Sequence, residues 1–138
     1  MLITRREEFS ASHACLNPAL TPERNRALYG EDSNPNGHGH NYAVEVTLEG
    51  EPDPVSGMVF DLKHLKSVIR QAVIEPFDHR FLNLEVQPFD RVVPTTENVA
   101  REIWRRLEAV LPAGRARLFS VRLYETEDLF ADYFGERP

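Results

Sequence analysis

Hydrophobic and polar residues alternate along some stretches of this chain and fall into helical stripes along others. From 3 to 13, Ile3, Phe9, Ala11 and His13 take one parity, and Thr4, Arg6, Glu8, Ser10 and Ser12 the other. That is the period of a half-buried strand, here ending in a histidine. From His38 onward the even positions read His38, His40, Tyr42, Val44, Val46 and Leu48, with Glu45, Thr47 and Glu49 between them. A second strand is therefore predicted, carrying its histidines on the apolar face. Leu62, Leu65, Val68, Ile69, Ala72 and Val73 form a helical stripe behind a capping Asp61, stopped by Pro76. A second stripe, Val99, Ile103, Leu107, Val110 and Leu111, starts near Thr95 or Thr96 and ends at Pro112 and Gly114. Two more strands are predicted over 115–125 and 128–134, with Phe119, Val121, Leu123 and Glu125 on one parity.

The connecting stretches are polar. Residues 14–37, rich in Asn, Pro, Gly and charge, read as a long loop with one helical turn over 22–28, and loops of that length are usually functional or disordered. Residues 51–57 read as a turn and 77–95 as irregular. The order ββααββ predicts an α+β fold, a four-stranded antiparallel sheet backed by two helices, as one domain over 1–138 without repeat, low-complexity tract or linker.

Composition narrows the function. The chain has 138 residues, 41% hydrophobic and 28% charged, with no apolar run approaching a membrane span. Arg5, Arg6, Glu7 and Glu8 interrupt any signal-peptide pattern. A formal net charge of −6 argues against a nucleic-acid surface. One cysteine leaves no internal disulfide and fits a reducing cytoplasm.

The histidines carry the chemistry. His38 and His40 share a face because side chains alternate along a strand. Strands adjacent in sequence tend to pair, which brings His13, at the end of the first strand, beside them. Three imidazoles are the usual protein contribution to a catalytic zinc, leaving a fourth position for water or substrate. The plainer alternative is three strand histidines hydrogen-bonded at the end of a sheet. Asp78-His79 is either a proton-transfer pair or a local hydrogen bond. Glu97 falls in the first turn of the second helix, where the helix dipole stabilises a carboxylate. Glu125 ends an apolar face and needs a partner, an arginine across the sheet being the ordinary one. Cys15 shares parity with His13 and is either close to the metal or a small buried hydrophobe. His64 reads as a solvated edge position.

Phe9-Ser10-Ala11-Ser12-His13, Asn34-Pro35-Asn36-Gly37-His38-Gly39-His40-Asn41-Tyr42, Asp53-Pro54-Val55-Ser56-Gly57-Met58, Asp78-His79, Thr95-Thr96-Glu97-Asn98-Val99 and Tyr124-Glu125-Thr126 together resemble the 6-pyruvoyl-tetrahydropterin synthase family, which includes the 6-carboxytetrahydropterin synthases of queuosine synthesis. The long spacer before His38 is more like the pyruvoyl branch. The resemblance implies the tunnelling fold (T-fold), a homohexamer of two stacked trimers with active sites between subunits, and Zn2+ held by His13, His38 and His40. It implies that Glu125 anchors the donor edge of a dihydropterin, assisted by Thr95, Thr96 and Glu97, and that Asp78 and His79 relay protons. The implied reaction is loss of triphosphate from 7,8-dihydroneopterin triphosphate, a carbon-oxygen lyase step. The alternatives are the carboxy-branch reaction, side-chain cleavage for folate, or a non-catalytic zinc- and pterin-binding paralogue.

The sequence departs from that family at one position. Aligned on Asn34-Pro35-Asn36-Gly37, Asp32 stands where the pyruvoyl branch has its catalytic cysteine, flanked by Glu31 and Ser33. An unperturbed aspartate titrates near about 3.9 against about 8.5 for cysteine, so it is intrinsically a weaker base. Three readings stay open: a carboxylate base, Asp32 or Glu31; Cys15 in the missing role; or a different pterin reaction or none. The loop position favours Asp32.

Overall fold

A computed structural model describes residues 1–136. Its centre is a pair of long antiparallel strands, β1 (Leu2–His13) and β2 (His38–Glu49), in register from Leu2 opposite Glu49 to His13 opposite His38. Further along the chain, β3 (Arg80–Phe81), β4 (Arg117–Thr126) and β5 (Leu129–Tyr133) complete a sheet of order β3-β1-β2-β4-β5. The expected four-stranded antiparallel sheet is therefore corrected to five strands of mixed direction. β3 pairs parallel with β1 through Ala11 opposite Arg80 and Ser12 opposite Phe81. Two residues are too few to show alternation, so this strand leaves no period in the sequence.

Helices cover the apolar face. The first helical stripe forms α2 (Leu62–Ile69), a π-wound segment Arg70–Ile74, and α3 (Glu75–Phe77). Asp61 caps it as expected, its carboxylate accepting from the Lys63 amide at 2.9 Å. Pro76 does not stop the helix ahead of itself. It occupies the first turn of α3, where a missing N–H is tolerated, and the helix ends at Phe77. The irregular stretch contains β3 and one further turn, α4 (Leu82–Glu85). α5 (Thr96–Val110) is capped by Thr95. Leu65, Ile69, Val73 and Phe77 on one helical layer, and Val99, Ile103 and Leu107 on the other, are fully buried against Phe9, Val44, Val46, Val121 and Leu123 of the sheet. Each such side chain contributes roughly 1.5–3 kcal/mol of burial, which fixes the sheet against the helices. Among the described residues no helix is long and apolar enough to cross a membrane.

The long connection after β1 is more ordered than its composition implies. It forms α1 (Pro22–Tyr29), capped by Thr21, and a 3-10 turn, Gly30–Ser33. Two asparagines organise it by standing in for a strand's backbone. The Asn83 amide accepts from Ala14 N at 2.9 Å and donates to Ala14 O at 2.8 Å, and Asn25 brackets Asn17 in the same way. Each thus satisfies both polar groups of a residue that no strand pairs. The chain re-enters the sheet at Gly37, with φ +76° and the Phe81 ring packed where a Cβ would stand, 2.5 Å from that ring. Only glycine fits both constraints.

Candidate metal centre and active site

β1 and β2 deliver the three histidines to one point because of register. His13 faces His38 directly, and His40 is paired with Ala11, two residues back along β1. The Nε2 of His13 lies 3.1 Å from that of His38 and 3.2 Å from that of His40. His13 is almost entirely buried, and its Nδ1 stands 2.7 Å from the carbonyl of Pro94. A carbonyl only accepts, so Nδ1 carries the proton, and in the neutral ring Nε2 is left as a lone pair. Three imidazole nitrogens thus converge with one of them unable to donate. His13 Nε2 can accept one N–H from His38 or His40, but its lone pair also faces Glu125 Oε1 at 3.2 Å, a contact between two acceptors that a cation among them would relieve. Two ligands at zinc-like distances and a tetrahedral angle sit roughly 3.3 Å apart, matching the separations found here. The Pro94 contact is the outer hydrogen bond that orients a metal-bound histidine.

Glu125 joins the cluster. Its Oε1 lies 3.2 Å from both His13 Nε2 and His40 Nε2, and the four donor groups all fall within 4.8 Å of one another. Its Oε2 accepts from the Thr96 hydroxyl at 3.1 Å. A His13 ring protonated on both nitrogens would hold the Glu125 carboxyl below the usual range against the opposing effect of burial, with charge on His40 and the Thr96 hydroxyl adding to it. Burial lowers the His40 imidazole, favouring the neutral form that ligates metal. The donor set of nitrogen with one carboxylate suits a divalent cation such as zinc.

The other candidate residues are spread around this centre. Asp32 is on its rim, with Oδ1 3.8 Å from His38 Nε2 and its side chain 66% exposed. Glu31 turns away to Arg26. Cys15 is buried, its amide donating to Asp32 O at 2.7 Å; burial first, then Asp32, Glu125 and Glu97, push the thiol up to about 11. Thr95 is occupied as the cap of α5, and Thr96 as the Glu125 partner. Glu97 lies exposed in the first turn of α5 with no hydrogen bond or ion pair among the described residues. His64 is exposed and stacks on Phe60.

Asp78 and His79 are not brought into the cluster within this chain. His79 Nδ1 is 2.9 Å from Asp78, whose other oxygen accepts from Ser10 N at 2.8 Å; that backbone bond first, with His79 helping, holds the Asp78 carboxyl low. His79 is 83% exposed and lines a shallow cleft with Ser10, Ala11, Ser12, Gly39, His40 and Asn41. It is also the one non-glycine residue with positive φ among those described. A locally strained histidine is thus displayed beside the β3 edge of the sheet, outside the cluster.

A large cavity of about 1190 Å³ lies elsewhere, between α5 and the β4–β5 edge around Trp104, Phe119 and Phe134. It holds none of the clustered histidines. Sequence reasoning missed Pro94 and Asn83. Neither carries a motif in isolation.

A family model described as 6-pyruvoyl tetrahydropterin synthase matches residues 2–136. The 6-pyruvoyl tetrahydrobiopterin synthase of Homo sapiens is 48% identical over 134 residues, covering 97% of this chain and 91% of that protein. That of Dictyostelium discoideum is 36% identical over 136 residues, covering 99% and 97%. The solved Caenorhabditis elegans 6-pyruvoyl tetrahydropterin synthase superposes with a TM-score of 0.93 at 36% identity, over 99% of this chain and 96% of that one. A match of that extent, with the T-fold of the solved relative and its five-stranded variant here, settles membership: the chain belongs to the 6-pyruvoyl tetrahydropterin synthase family and is a lyase-type enzyme of tetrahydropterin biosynthesis.

Proposed function

We propose that the enzyme is zinc-dependent and acts on 7,8-dihydroneopterin triphosphate, eliminating triphosphate to give a 6-pyruvoyl tetrahydropterin. The observation that carries the reading is the convergence of three Nε2 atoms with the outer nitrogen of His13 committed to Pro94. His13, His38 and His40 hold the cation. When bound, it supplies the positive charge that acidifies the hydroxyls of the substrate side chain.

The protein's own residues divide the remaining work. Asp32 is the proton acceptor on the side-chain carbon, since it is the loop carboxylate beside His38 while Glu31 is paired with Arg26. As the C–H bond breaks, its electron pair forms a new carbon–carbon double bond while the C–O bond pair leaves with the triphosphate. The resulting enol tautomerises to a ketone, and proton shifts from the side chain to the ring carry the two electrons that oxidise the side-chain alcohol and reduce the dihydropterin to the tetrahydro level. Glu97 reads the amino and ring N–H edge of the pterin, because both oxygens of Glu125 are occupied and those of Glu97 are not. Asp78 and His79 serve as proton relay in the site of a neighbouring subunit, in keeping with their pairing outside this chain's own cluster and with a trimer-based hexamer whose sites lie between subunits.

Incubating zinc-loaded protein with 7,8-dihydroneopterin triphosphate tests this directly. Free triphosphate and a pyruvoyl product are expected; acetaldehyde would move the enzyme to the carboxy branch, and pterin binding without turnover would sink the reading. Asp32→Ala is expected to lower turnover by about 100-fold or more with zinc content unchanged, as for loss of a general base. Full activity in that variant would exclude Asp32.

A further inference from the structure

Thr95 caps α5, the Thr96 hydroxyl holds Glu125 and Glu97 is left for the pterin. Asn98, the last of that run, reaches back along the entry to the helix: its Nδ2 donates to the carbonyl of Val93 at 2.9 Å. The same carbonyl accepts from the Thr95 amide at 2.8 Å, so one oxygen serves two donors and uses both of its lone pairs. The bond from residue 95 to residue 93 closes a three-residue turn centred on Pro94, whose ring holds φ near about −65°, close to what such a turn requires. A turn this tight bends its hydrogen bond and weakens it, and the Asn98 amide supplies the second. The Asn98 backbone amide in turn donates to Thr95 Oγ1 at 3.3 Å, so the turn and the start of α5 are one unit.

The turn decides where the Pro94 carbonyl points. In a trans peptide the C=O and the N–H share a plane and point opposite ways, and Pro94 C=O and Thr95 N–H belong to one such peptide. With the N–H turned to Val93, the Pro94 oxygen faces away from it, and there it meets His13 Nδ1 at 2.7 Å. His13 has a second place for its proton. On Nε2 the proton would be donated to Glu125 Oε1, 3.2 Å away. The two tautomers of the ring therefore have rival acceptors, and only the one set by Pro94 leaves the Nε2 lone pair for a cation. Pro94 and His13 are both buried, where water offers no substitute for either acceptor.

From this geometry we infer that Asn98 is a positioning residue for the metal centre: by holding the Val93 carbonyl it aims the Pro94 carbonyl at His13 and keeps the proton of that ring on Nδ1. The inference rests on the metal reading above, while the tautomer it assigns exists with or without the cation. Asn98 acts through two backbone carbonyls, not by touching the reacting groups. With that amide removed, the turn relaxes, the Pro94 carbonyl swings off its aim, and Glu125 competes for the proton on the nitrogen that should bind metal.

The test reads the proton directly. Long-range proton–nitrogen correlation spectra of the full chain, zinc-free and zinc-loaded, distinguish a protonated ring nitrogen from a bare one at about pH 8, where imidazoles are neutral. In the wild type the His13 proton is expected on Nδ1. In zinc-free Asn98→Ala, and in Asn98→Leu, which keeps the volume without the donor, the ring protonated on Nε2 should appear alongside it. In both variants the zinc dissociation constant should rise about tenfold. Glu102→Ala, on the same helix but away from the turn, should keep the wild-type tautomer and zinc constant, which separates aim from stability. A His13 proton that stays wholly on Nδ1 in both Asn98 variants would overturn the inference. So would a changed tautomer with an unchanged zinc constant, and a wild-type ring protonated on Nε2 would overturn it without any variant. If the wild type binds no zinc, the metal reading fails, and the zinc-free spectra still decide whether Asn98 sets the tautomer.

Discussion

Two carboxylates, one buried and one half-buried, flank the helix–sheet interface with different partners. Glu102, on α5, is 6% exposed and is gripped by Arg105 through two bonds of 2.5 and 2.8 Å and by Arg106 at 2.9 Å. Arg106 also donates to the Gln87 carbonyl and lies over the Phe77 ring, so the cluster ties α5 to the segment after α4. Glu125, on β4, is 16% exposed and faces imidazoles instead. Arginines are permanent cations and complete the neutralisation of Glu102 within the chain. The imidazoles beside Glu125 include one, His13, whose ligating nitrogen has no proton to give. A half-buried acid facing imidazoles is a place that could hold a cation from outside; a buried one paired with arginines is a structural joint.

The comparison is broken most severely at the metal end. Removing the cation with a chelator, or substituting His38→Ala, is expected to cost more than about 100-fold in turnover, since a bound cation supplies several kcal/mol of charge stabilisation. Product formation before and after zinc readdition checks this, and recovery by zinc in the wild type but not in the variant separates site loss from damage.

At the arginine end the effect moves to stability. Glu102→Ala is expected to lower unfolding free energy by about 1–3 kcal/mol in urea titration, with zinc content unchanged. The upper range is tempered because Arg105 is mostly exposed and regains water. Its pH dependence has a definite sign. Burial by itself would raise the Glu102 carboxyl, but the bonds from Arg105 and Arg106 outweigh it and hold the group below its ordinary range. A carboxyl lowered on folding stabilises fully above the unfolded value, about 4.3, and the contribution disappears as pH falls through the folded one. The gap between wild type and Glu102→Gln should therefore stay constant from about pH 5 to 8 and close below about pH 4. A gap that widened in acid would contradict the pairing.

The smallest effect sharpens the contrast, because it touches both properties. Asn83→Ala removes the two bonds that hold Ala14 immediately after His13. A loss of about 1 kcal/mol is expected, together with a measurable weakening of zinc binding that Glu102→Ala does not share. Equal metal affinity in both variants would show that Asn83 braces the loop without positioning the ligand.

Much of this was legible before any coordinates. Alternation placed β1, β2, β4 and β5, the helical stripes placed the two backing layers, and register reasoning brought His13 to His38 and His40. These features repeat with a period and involve neighbours along the chain, so local chemistry suffices to read them. β3 was not legible, because two residues have no period. The π-wound continuation through Pro76 was not, because a proline in the first turn of a short helical segment and one that ends a helix look alike.

Within the site, residue types and parity alone determined that three histidines share a face and that an inward carboxylate on β4 needs a partner. Only the tertiary structure decided which partner. Glu125 meets the His13 and His40 imidazoles, Pro94 arrives from the far side of the chain to set the His13 proton, and Asp78 and His79 pair with each other outside the cluster. Such choices depend on distances between segments up to 81 positions apart. Sequence periodicity records which way a side chain points, but the packing of helices on the sheet fixes what it meets there.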